Sequence, residues 1–180
     1  MIASLVIALL TTSALSIPTQ EADRSCSAEP IWSLSNIEYY SHIIYSTPAH
    51  PAIHATISFN VTNTETKDTT HCAAHSHEFP EFFYGRNVYK CDNPAGAGTN
   101  PKEVTSFSFS KSNSSLVVNQ SWACGSTNTV RNMTAESPVQ LSCDTQKYKN
   151  PNWKAGETYE STKVICQPSS LKLTPLQIAN

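Results

Sequence analysis

Within residues 52–63 apolar and polar side chains alternate without a break from Ile53 to Thr62. Ile53, Ala55, Ile57, Phe59 and Val61 fall on one side of a two-residue period; His54, Thr56, Ser58, Asn60 and Thr62 fall on the other. That pattern predicts a strand with one face on a core and the other toward water. Residues 104–110 alternate in the same way, with Thr105, Phe107 and Phe109 against Ser106, Ser108 and Ser110. Residues 116–122 return with Leu116, Val118 and Trp122 on one face, and the polar link Lys111-Ser112-Asn113-Ser114 makes the two runs an antiparallel hairpin.

The rest of the chain is less regular. Residues 31–40 carry Trp32, Leu34, Ile37, Tyr39 and Tyr40, but the alternation breaks at Ser35-Asn36. Such a break predicts two short strands or one strand with a bulge. Residues 47–51 hold two prolines and read as a turn. Residues 62–70 read as a polar loop, and 79–84, interrupted by Pro80, as a loop or edge segment. A strand is expected at 86–91 and a Pro/Gly/Asn-rich loop at 92–101. Further short strands are expected at 139–143, 163–166 and 171–178, with a break at 149–156. No window sustains a helical period, so the expectation is all-β: a compact antiparallel β-barrel or β-sandwich of roughly seven to ten strands.

Composition adds a compartment. The apolar run 2–10 followed by the small residues 11–16 reads as a secretory signal peptide over 1–16, cut after Ser16. That run is too short for a membrane span, which takes about 20 residues. One domain is expected over 17–180, with its core at about 26–166. Charged residues make up 14% of the 180 and the net charge is -2, which gives no electrostatic case for nucleic acid or an anionic membrane. Cys26, Cys72, Cys91, Cys124, Cys143 and Cys166 form an even set, as in disulfide-stabilised extracellular domains, and their count leaves about 15 connectivities open.

Candidate chemistry is sparse. Asn60, Asn113, Asn119 and Asn132 each begin an Asn-x-Ser/Thr acceptor for N-linked sugar. His71, His75 and His77 surround Cys72, but an oxidised cysteine does not ligate zinc and no further ligand has zinc-site spacing. The segment therefore reads as a solvated histidine-rich loop, and neither metal nor cofactor is expected. No Gly-x-Ser-x-Gly or His-Glu-x-x-His sequence occurs. His54, Glu78 and Arg86 compose a ribonuclease-like acid, base and phosphate-binding set only if the fold gathers them, and the carboxylate pairs Glu78/Glu81 and Glu157/Glu160 suit a glycosidase only across a cleft. Trp32, Tyr39, Phe59, Phe107, Phe109 and Trp122 at strand period are expected to pack as core rather than line a ligand cavity. Phe82, Phe83 and Tyr84, beside Pro80 and Gly85, are the expected partner-contact surface.

Several short runs, taken in order, carry a family likeness. Trp32 with residues 35–40, Ile57-Ser58-Phe59-Asn60-Val61-Thr62-Asn63, Thr70-His71-Cys72-Ala73-Ala74, Val88-Tyr89-Lys90-Cys91, Ser106-Phe107-Ser108-Phe109 and Leu116-Val117-Val118-Asn119-Gln120 resemble the small secreted fungal proteins related to the major allergen of Alternaria. The resemblance runs from about residue 26 to residue 166. It implies a β-barrel or sandwich closed by disulfides, with Cys72–Cys91 as one bridge, Cys124–Cys143 as the later pair, and Cys26 left to Cys166. Segments 71–84 and 92–101 are longer and different here, and the resemblance carries no catalytic residues. It implies a secreted, effector-like binding protein that contacts host extracellular proteins, plant ones foremost, and modulates defence. A secreted hydrolase or ribonuclease, and an apolar small-ligand carrier, are the alternatives.

Overall fold

The computed structural model describes residues 29–92, 104–124 and 129–178, and every regular element among them is a strand. The leader at 1–16, Cys26 and most of the 92–101 loop lie outside the described residues. The strands are β1 (Trp32–Thr47), β2 (His50–Asn63), β3 (Thr69–Ser76), β4 (Tyr89–Lys90), β5 (Val104–Ser110), β6 (Ser115–Cys124), β7 (Thr129–Pro138), β8 (Cys143–Lys149), β9 (Glu160–Cys166), β10 (Ser169–Leu173) and β11 (Leu176–Gln177). The larger sheet runs β3-β2-β1-β9-β8, with β10 also on β1; the smaller runs β11-β7-β6-β5-β4. Every pairing is antiparallel. Among the described residues the two sheets do not close on each other, so the expected all-β fold is realised as a sandwich and not as a closed barrel.

β1 is a single bulged strand. Its pairing with β2 slips between Ser35 and Glu38, and Asn36 sits at φ 53°, a left-handed conformation that asparagine tolerates better than most residues. The slip moves the inward set from Trp32 and Leu34 to Ile37, Tyr39 and Ser41. The strand then continues to Thr47, where a two-residue turn at Pro48-Ala49 starts β2 at His50. The predicted loop at 62–70 is shorter than expected, because β3 already begins at Thr69. The β5–β6 hairpin has the expected faces, with Phe109 opposite Leu116. Three strands are additions: β3, β7, and β8, whose polar sequence CDTQKYK is exposed after Cys143. The expected strand at 139–143 is instead the link between β7 and β8, and 86–91 contributes only Tyr89–Lys90 to a ladder.

The inward faces meet in one core. Trp32, Trp122, Phe59, Phe107, Phe109 and Tyr39 are all 0–2% exposed, and Phe59 meets Phe107 edge-to-face at 4.9 Å between centroids. These rings fill the space between the sheets, as expected of core aromatics. A buried polar chain crosses the same core: Asn63 Nδ2 donates to Gln120 Oε1 at 2.8 Å, and Gln120 Nε2 donates to Thr105 Oγ1 at 3.1 Å. Because the amides satisfy one another, they fix the sheets' relative position without leaving those donors unpaired. Arg131 on β7 bonds Glu65 of the β2–β3 loop at 3.1 Å, a second, largely buried tie between sheets.

The disulfides correct two expected pairings. Cys72–Cys91 forms as expected and joins β3 of the larger sheet to the residue after β4 of the smaller. Backbone bonds reinforce that corner: Cys91 N donates to Thr105 O at 3.0 Å, and Asp92 N to His71 O at 2.8 Å. Cys143, however, pairs with Cys166. The two lie directly opposite across β8 and β9, so neither Cys124–Cys143 nor Cys26–Cys166 exists. Cys124 is also disulfide-bonded.

Burial of Tyr39 has a consequence in alkali. Its hydroxyl is held above the ordinary value of 10.0, chiefly by desolvation, with a hydrogen bond from Ser41 opposing and the charge of Glu81 adding to the rise. As pH climbs past 10.0, the unfolded chain releases this proton while the native chain retains it. The unfolded state then binds fewer protons, so stability falls through the window between 10.0 and the raised native value. Tyr39→Phe is expected to flatten that alkaline limb in urea unfolding followed against pH; an unchanged slope would remove the assignment.

Candidate functional site

Strand register decides which side chains share the outer face of the larger sheet. On β2, the residues that alternate away from the core are His54, Thr56, Ser58 and Asn60. On β1, after the bulge, they are Glu38, Tyr40, His42 and Ile44. His54 stands opposite His42, and His42 opposite Lys163 of β9. Tyr40 stands opposite Thr56 and Ile165, and Thr56 opposite His75 of β3. The outer face is therefore rich in imidazole and aromatic groups across β3, β2, β1 and β9.

The rings on this face touch one another. His54 stacks on His75 at 5.6 Å between centroids with 24° between planes, and lies 5.4 Å from His77. Tyr40 is 6.4 Å from both His42 and His54, and Lys163 Nζ sits over the Tyr40 ring at 5.7 Å. Farther along β3, His71 Nδ1 and Asn60 Oδ1 are 3.1 Å apart. The histidine-rich segment expected as a loop is thus mostly strand. Alternation sends Cys72 inward to its disulfide, while His71 and His75 point to solvent.

Other expected groups have partners of their own. Arg86 lies 3.9 Å from Glu78 in an exposed ion pair, while His54 belongs to the imidazole cluster. Glu157 Oε2 accepts from Asn150 Nδ2 and Lys154 N, which fixes the turn before β9. Phe82 and Phe83 are 5% and 1% exposed, and so are not the partner-contact surface expected of them. The segment folds back on the C-terminal end of β5, beyond its pairing with β4: Lys111 N donates to Phe83 O, and Tyr84 bridges Ser110. Phe83 packs between Tyr39, Tyr89 and Phe109. Tyr84 is half-buried, its hydroxyl bonded to Phe79 O, and the exposed ring of this stretch is Phe79.

A shallow groove of about 730 Å³ lies on the smaller sheet beside this segment, lined in part by Gly85, Ser108, Ser115, Val117 and Glu136. Gly85 is at φ +79°, and a Cβ there would stand 3.1 Å from Ser110 Cβ, so glycine allows the close approach that forms the groove wall. Ser115 Oγ donates to Glu136 at 2.7 Å. The four acceptor asparagines all lie on the outside: Asn113 is in the β5–β6 turn, Asn119 and Asn132 are on the outer face of the smaller sheet, and Asn60 is on that of the larger.

The described residues form a sandwich of two open sheets, filled with aromatic rings and stapled at its edge by disulfides. The chain belongs to the Alternaria alternata allergen 1 family, which it matches over residues 35–166. No curated protein and no solved structure matched it. The matched span runs from the β1 bulge to Cys166 and so contains both the Cys72–Cys91 and Cys143–Cys166 bridges.

Proposed function

We propose that the chain is a secreted binding protein that acts through contact with a host extracellular protein, with plant defence proteins as the foremost class. Family membership and the disulfides support an oxidising, extracellular setting. The observation that carries the binding role is the outer face of the larger sheet, where Tyr40, Ile44, His54 and Ile165 alternate away from the core on three adjacent strands and each stays half-exposed. Aromatic, amphipathic side chains on a rigid sheet make contact area at low entropic cost. Sugar at Asn119 and Asn132 would shield the smaller sheet and leave this face open. Sugar at Asn60 would sit about 20 Å from His54 along β2.

The test uses purified full-length protein immobilised against fractionated plant extracellular fluid. Binding is expected to saturate, to be competed by free protein, and to fall with Tyr40→Ala plus Ile44→Ser while Ser108→Ala in the groove leaves it intact. Loss with the groove change alone, or no saturable binding, overturns the reading. Hydrolysis of RNA or glycan that disappears in His54→Ala or Glu78→Ala would replace it with the enzymatic one.

A further inference from the structure

We propose that His54, His75 and His77 form a surface site for a divalent transition-metal ion, with zinc as the biological case. The chain supplies two ligands two residues apart: His75 lies within β3 near its end and His77 is the residue just past that end, both exposed, at the spacing that puts side chains on one side of an extended chain. The neighbouring antiparallel strand supplies the third, because the β2–β3 register, with Ala55 opposite Ser76 and Thr56 opposite His75, brings His54 alongside both. The spacing suits a shared ion. With zinc–nitrogen bonds of about 2.0–2.1 Å and tetrahedral angles, two imidazoles on one zinc have ring centroids about 5 Å apart. The His54 ring already lies 5.6 Å from His75 and 5.4 Å from His77.

In the structure the rings lie beside one another, and among the described residues no three His, Cys, Asp or Glu side chains are placed to hold a metal ion as they stand. The site requires the side chains to rotate onto a shared ion, and they have the freedom for it: His75 and His77 are exposed, His54 is half-buried, and no carboxylate ion pair holds any of them among the described residues. His42, opposite His54, stands next in the row as a further imidazole, and water can complete the shell. Three neutral imidazoles favour zinc, copper or nickel over magnesium or calcium, which seek oxygen ligands. Cys72 takes no part, since its sulfur is on the core face and oxidised.

The experiment is calorimetric titration of metal-stripped, full-length protein with zinc chloride and, separately, magnesium chloride. One zinc per chain is expected to bind at micromolar concentration, with no heat from magnesium. Losing a group that merely supports a ligand costs about 10–100-fold in metal affinity, so His54→Gln, His75→Gln and His77→Gln should each weaken zinc binding by about 100-fold or more. His50→Gln at the hairpin tip should leave it unchanged. Circular dichroism of each variant confirms the fold, and histidine ring resonances report which imidazoles meet the ion. The proposal is overturned if zinc gives no heat, or if His54→Gln binds as the parent does. It is equally overturned if His50→Gln abolishes the signal.

Discussion

Phe59→Ala is expected to destabilise the fold by about 3–5 kcal/mol, read as a lower urea midpoint with an unchanged slope. Phe59 is 1% exposed in the middle of β2 and forms the closest aromatic contact between the sheets, with Phe107 at 4.9 Å. Phe107 in turn lies 5.4 Å from Tyr89, so the ring network runs to the far edge of the smaller sheet. Deleting the ring loses its transfer free energy and leaves a cavity that two hydrogen-bonded sheets cannot collapse to fill. Domains are typically stable by about 5–15 kcal/mol, so this one change consumes a large share. Phe59→Leu, which keeps most of the volume, should cost about 1.5 kcal/mol or less. If alanine and leucine cost the same, the ring is not the packing element that its burial indicates.

The second large effect belongs to Cys72–Cys91. Its sequence separation is 19 residues, for which loop-closure entropy in the unfolded chain gives about 3 kcal/mol. Cys143–Cys166 closes a loop of similar length, at a separation of 23, and the same model gives it a similar value. What differs is the native side. Cys143–Cys166 joins strands already paired over seven residues, whereas Cys72–Cys91 joins edges of two different sheets. Removing Cys72 and Cys91 together, each as alanine, should therefore lower stability and also raise hydrogen exchange in both β3 and β5. The Cys143→Ala, Cys166→Ala pair should confine its exchange effect to β8 and β9. Identical exchange patterns from the two variants would contradict the stapling role.

Where alternation was strong, local sequence was enough. The faces of β2, β5 and β6 follow directly from it because each strand packs one face on the core, and burial then matches the two-residue period. The bulge in β1 was also visible, since Ser35-Asn36 interrupts the period. β8 was not visible: it is an edge strand with an exposed polar sequence, so no apolar pattern marks it. Missing β8 is also why the register that places Cys143 opposite Cys166 could not be read. Phe82-Phe83 misled for a related reason. Proline and glycine nearby do mark irregular backbone, but irregular backbone can fold its rings inward, as the bond from Lys111 N to Phe83 O makes this segment do.

The sequence by itself determined an all-β domain with an even set of cysteines and an aromatic core, because these depend on composition and on a period of two within single strands. It also showed the resemblance that family membership bears out over residues 35–166. Tertiary structure alone decided the open sandwich, the pairing of Cys143 with Cys166, and the meeting of His54 with His75 and His77. All three are matters of register between segments distant along the chain, and no local pattern in either segment specifies which residue of the other it will face.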